Sequence, residues 1–162
     1  MERMSQRLAA RLKSQFVGRT DELTLVESLL RAGDQGAAVF VHGPGGVGKT
    51  TLLRRLAVLA DEVGRHVVRV DGRDVPPIPA AFVAAIAAAA GVGDTGGITA
   101  GKAGALESTN GSGPDPIQAL AELKGLVLLV DTAELLGPLD RWLREDLLPS
   151  LAADTVAILA GR

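Results

Sequence analysis

Gly43-Pro44-Gly45-Gly46-Val47-Gly48-Lys49-Thr50 fills every fixed position of the pattern G-x-x-x-x-G-K-[ST], directly after the apolar run Ala37-Ala38-Val39-Phe40-Val41. A turn this rich in glycine joins a strand to a helix. Helical spacing follows at once through Leu52, Leu53, Leu56, Leu59 and Val63, ended by Gly64. The run before the turn suits a strand buried on both faces of a parallel sheet.

The same alternation continues along the chain. His66 to Val70 predicts a second strand, and Pro79 opens a helix over 80–90 that Gly91 stops. Asp115 caps a helix reaching Lys124, and Leu126 to Val130 is the most apolar strand. Pro138 starts a helix through Trp142 and Leu147, with Leu139 and Leu143 packing it on the sheet, and Thr155 to Leu159 gives a fourth strand. Strands alternating with helices predict an α/β fold, a three-layer parallel sheet with helices on both faces. Upstream, Thr20 caps a helix with Asp21 and Glu22 in its first turn and Leu23, Val26, Leu29 and Leu30 as its buried stripe. Met4, Leu8 and Leu12 predict an amphipathic helix over 1–15, with Arg3, Arg7 and Arg11 opposite. Residues 92–114, rich in Gly, Ser and Thr, predict a flexible insertion inside a domain that otherwise runs from 16 to 162.

Composition narrows the functions open to such a chain. At 162 residues there is room for one domain. Lys and Arg total 17 against 19 Asp and Glu, a net charge of −2, so no direct nucleic-acid binding is expected. Three Phe, one Trp and no Tyr leave little material for stacking bases. With no Cys and only His42 and His66, disulfides, thiol nucleophiles and Cys- or His-rich metal cages are excluded. No apolar run approaches the roughly 20 residues that span a bilayer. The N-terminus has no secretory pattern, which predicts a cytoplasmic protein without a membrane anchor.

The glycine-rich turn carries the chemistry. Phosphates need several inward-pointing backbone N–H groups, which successive residues supply together only where no Cβ intrudes. Gly43, Pro44, Gly45, Gly46, Val47 and Gly48 form this cradle, and the helix that follows adds the positive end of its dipole. Lys49 reaches the β and γ phosphates, Thr50 ligates Mg²⁺, and Thr51 extends the cradle. A second carboxylate on the metal is expected at the end of a neighbouring apolar strand, where Asp131 stands. Thr132 occupies the next position, where many ATPases have the Glu that activates water, so the pattern supports binding more firmly than hydrolysis. Glu134 is the nearest substitute base, and Arg162, after the fourth strand, is positioned to sense a γ phosphate. Asp71 and Asp74 follow the second strand, where a phosphotransferase would place a carboxylate for its acceptor, although Gly72 and Pro76 suit a plain turn. The Gly96 to Ala103 stretch has the G-x-x-x-x-G-K spacing but ends in Ala103, which cannot ligate magnesium.

Phe16-Val17-Gly18-Arg19-Thr20-Asp21-Glu22-Leu23, the glycine-rich turn, Leu126 to Glu134 and Thr155 to Arg162 together resemble the nucleotide-binding domain of the STAND signal-transduction ATPases. These are relatives of the AAA+ and Orc-type ATPases found in large bacterial transcriptional regulators. The resemblance covers residues 16–162 and implies a P-loop NTPase of the ASCE type that binds ATP and Mg²⁺. It implies that Val17, Gly18 and Arg19 contact adenine and ribose, that Asp131 holds magnesium, and that the Arg162 strand lies between the P-loop and Asp131 strands. It also implies a fifth strand, a lid and a winged helix beyond Arg162, so the chain is expected to be a fragment. Ala37 to Val41 would then be an exposed sheet edge that promotes self-association, and turnover without a lid would be slow. The function expected is an ATP-binding switch domain of a signal-transduction ATPase or transcription regulator, with protein partners. The alternatives are a small P-loop kinase and an interaction module with a vestigial nucleotide site.

Overall fold

The structure, a computed structural model, describes residues 20–33, 35–92 and 115–162. The predicted 1–15 helix, the Val17-Gly18-Arg19 segment, the Gly96 to Ala103 stretch and all but the first residue of the 92–114 insertion lie outside the described residues. Helix α1 (Thr20–Ala32) carries Asp21 and Glu22 in its first turn and Arg31 in its last, each at the end its charge favours. Strand β1 (Ala37–His42) leads through the glycine-rich turn into α2 (Lys49–Glu62). Strand β2 (His66–Asp71) precedes α3 (Pro79–Ala90), which has Pro at its first position and Gly91 at φ 67° closing it. Helix α4 (Pro116–Ala121) is capped by Asp115, whose carboxylate accepts the Ile117 N–H at 3.0 Å. Strand β3 (Leu126–Asp131), a helical run over 133–150 and strand β4 (Val156–Gly161) complete the order.

All four strands are parallel, in the order β1-β4-β3-β2. The fold is therefore the expected α/β sheet, with the Arg162 strand between the P-loop strand and the Asp131 strand. Alternation along the strands feeds two cores. Leu126, Leu128 and Val130 of β3 meet Phe82 and Ile86 of α3, Leu120 of α4 and Leu143 and Leu147 of the 133–150 run. Val127 and Leu129 face the other way, toward Leu52, Leu56 and Leu59 of α2 and Val26 and Leu30 of α1. Among the described residues no helix is long and apolar enough to cross a membrane.

Three expectations are corrected. Pro138 does not open a helix, because it sits inside 3₁₀ turns (Ala133–Leu139) that start immediately after Thr132. The three-residue period of those turns puts Leu136 and Leu139 together in the core. The run then continues through Asp140–Trp142, a π turn at Leu143–Leu147 and Leu148–Ser150, and Trp142 meets Phe82 edge-on. Helix α4 stops at Ala121 rather than Lys124, since Gly125 turns the chain at φ 68° into β3. Strand β1 is not buried on both faces. Among the described residues it lies at the sheet edge, as expected, and there most of its residues are only half-buried.

Candidate functional site

Strand register gathers the chemistry at one end of the sheet. His42, the last residue of β1, lies opposite Gly161 of β4, Val130 of β3 opposite Leu159, and Asp71 of β2 opposite Asp131. The loops leaving these carboxyl ends enclose a cavity of about 540 Å³, the position at which open parallel sheets bind ligands. Gly45, Gly46, Gly48, Lys49, Thr50 and Thr51 line it, and so do Asp131, Glu134 and Arg162. The structure thus brings together most of the residues that the sequence singles out. Gly43, Pro44 and Val47 belong to the same turn but do not line the cavity.

The turn has the backbone a phosphate cradle requires. Gly46 and Gly48 adopt φ 79° and 90°, in the left-handed region where a Cβ is strained, and nothing lies within 4 Å of the space a Cβ would take at either. Gly43 is needed for another reason, since a Cβ there would come within 2.9 Å of Val47 Cγ1. The Lys49 ammonium folds back over the turn and donates to the carbonyls of Gly43 and Pro44, the latter at 2.8 Å. A bound anion would compete for those donors.

Glu134 and Arg162 meet across the cavity. Arg162 Nε lies 3.7 Å from Glu134 Oε1, and its Nη2 lies 3.0 Å from where a Gly45 Cβ would stand. Gly161 permits this approach, because a Cβ there would be 3.1 Å from Glu134 N. The Asp131 carboxylate accepts the Thr132 N–H at 2.9 Å, and Thr132 adopts a left-handed conformation at φ 54°. A β-branched residue there is strained, and such strain clusters at functional sites.

Two lining residues, Arg73 and Thr132, were not singled out as site residues by the sequence. The available signal for Arg73 was its place two residues beyond a strand that ends in Asp. Arg73 donates to both oxygens of Asp71, with Nη2 to Oδ2 at 2.6 Å and Nε to Oδ1 at 3.0 Å. These side-chain bonds lower the Asp71 pKa to about 2 from 3.8; burial opposes them, while the Arg73 N–H and the Thr132 side chain add to them. A carboxylate held this way is a poor proton acceptor. His42 is exposed and stacks on Phe40 at the end of β1.

Comparison with known families gives one match: the family model of the AAA ATPase domain covers residues 15–158. Searches of curated proteins and of solved structures returned no match.

Proposed function

The chain belongs to the AAA ATPase domain family, and from that membership we propose that it is an ATP-binding switch domain whose output is conformational. The observation that carries this reading is the cavity of about 540 Å³ at the carboxyl ends of the strands, where the glycine-rich turn, Lys49, Thr50 and Asp131 converge. The turn from Gly43 to Gly48, with Lys49, Thr50 and Thr51, would hold the phosphates. Thr50 and Asp131 offer a hydroxyl and a carboxylate, oxygen donors suited to a hard Mg²⁺ that keeps waters and phosphate oxygens as its other ligands. When bound, the ion would neutralise phosphate charge.

Glu134, which lines the cavity, is the group nearest to a general base, and it is proposed to support slow hydrolysis. Val17, Gly18 and Arg19, within the span matched by the family model, are proposed to contact adenine and ribose. The STAND type, a role in signal transduction or transcription regulation, a cytoplasmic location, and protein partners including a second copy complete the proposal. The kinase alternative loses support at Asp71, because Arg73 occupies both of its oxygens.

Calorimetric titration of Mg-ATP into the wild type and Lys49→Ala tests the proposal. Saturable heat in the wild type, weakened at least about tenfold in the variant, is expected, since hydrogen bonds to charged groups are worth about 1.5–3 kcal/mol. No heat in folded wild type, or equal weak binding by both, would overturn it.

A further inference from the structure

We propose that Arg73 is a contact residue for the terminal phosphate of a bound nucleoside triphosphate, presented at the cavity wall by Asp71. This rests on the nucleotide-binding reading above and adds a residue to it.

The base of Arg73 is fixed to the strand that carries Asp131. Gly72 N donates to Asp131 O at 2.8 Å, and Gly72 packs so closely on β3 that a Cβ would come within 2.5 Å of Thr132 O. The Arg73 N–H donates to Asp71 Oδ1 at 3.0 Å, and its Nε and Nη2 engage the same carboxylate. Asp71 therefore holds the arginine without consuming it. Nη1 makes no hydrogen bond among the described residues, and the side chain is 65% exposed. A guanidinium has five N–H donors in a planar fork, so one edge can rest on a carboxylate while another meets a phosphate.

Its placement suggests which phosphate. The phosphate chain would begin at the turn after β1, and β2 is the strand farthest from β1 in the sheet. Arg73 shares the main cavity with Lys49, Thr50 and Asp131, and it also lines an adjoining groove of about 340 Å³ with Thr50 and Asp131. It therefore stands on the Asp131 side, at the far end from the turn. Lys49, Arg73 and Arg162 are the cations that line the cavity, and of these Arg162 lies beside Glu134. A triphosphate would reach Arg73, whereas a diphosphate would end at the P-loop.

The test compares Mg-ATP and Mg-ADP affinities of the full chain by calorimetry for wild type, Arg73→Ala and Arg73→Gln, with nucleotide-free thermal melts of all three. Arg73→Ala is expected to weaken Mg-ATP about tenfold and Mg-ADP less than about twofold, the size of one charge-assisted contact. Arg73→Gln keeps an amide donor for Asp71 and should show the same selective loss with an unchanged melt, which separates lost contact from lost structure. Equal losses for both nucleotides, or no loss for Mg-ATP, would overturn the Arg73 contact alone. Failure of the wild type to bind either nucleotide would remove the site reading and this inference with it.

Discussion

Gly45 lines the cavity and Gly72 precedes Arg73, which also lines it, yet the surroundings of the two glycines predict opposite outcomes for a Cβ. At Gly45 the obstacle is Arg162 Nη2 at 3.0 Å, the free end of a flexible side chain. At Gly72 it is the Thr132 carbonyl at 2.5 Å, backbone that cannot retreat without moving Asp131. Gly45→Ala should change stability by less than about 0.5 kcal/mol, and Gly72→Ala should cost about 2 kcal/mol or more, both measured by urea unfolding. Asp71 gives a pH prediction. Its pKa is lowered to about 2 in the fold, so as pH falls below 3.8 the unfolded chain takes up the proton first. The stabilisation is complete above that value and disappears as pH approaches 2. Asp71→Asn should therefore lower stability at pH 7 by under about 1 kcal/mol, a modest figure because Arg73 is largely solvated, and the difference from wild type should vanish near pH 2.

At the level of elements, an arginine joins pieces distant in sequence at the end of the sheet opposite the cavity. Arg65 Nε and Nη2 donate to Leu30 O near the C-terminus of α1, at 3.1 Å each, and Nη1 donates to Asp154 O at 2.9 Å just before β4. Leu30 O lies in the last turn of its helix, where carbonyls have no partner within the helix. Arg65→Ala should cost about 1–3 kcal/mol in chemical denaturation, with Arg65→Lys recovering part, because an ammonium cannot span both acceptors in the planar fork. Element boundaries were legible where a local signal sets them: Pro79 and Gly91 bracket α3, and Asp115 caps α4. They were hidden in the 133–150 run, where 3₁₀, α and π turns follow one another and no single period holds.

For the whole molecule, the edge position of β1 among the described residues carries a prediction about association. Among the described residues β1 pairs only with β4, and its outer edge keeps free backbone donors and acceptors beside half-buried Val39 and Val41. Sedimentation velocity over a concentration series should show reversible self-association. Ala38→Lys, a charge at an exposed position on that strand, should shift the equilibrium toward monomer. A wild type that stays monomeric at every concentration would count against β1 as a pairing edge.

The sequence by itself determined the alternation of strands and helices, the cradle from Gly43 to Thr50 and the candidacy of Asp131. Each depends on contacts between near neighbours: glycine freedom at a tight turn, apolar runs that must be buried, a carboxylate at a strand end. Only the tertiary structure decided that Arg73 and Thr132 join the cavity, that Glu134 faces Arg162, and that Asp71 is held by Arg73 instead of standing free as a base. These relations depend on strand order and register, which set Asp71 beside Asp131 across 60 residues of chain. No local pattern encodes them, because packing of the two faces of the sheet against separate helices fixes which strand ends become neighbours.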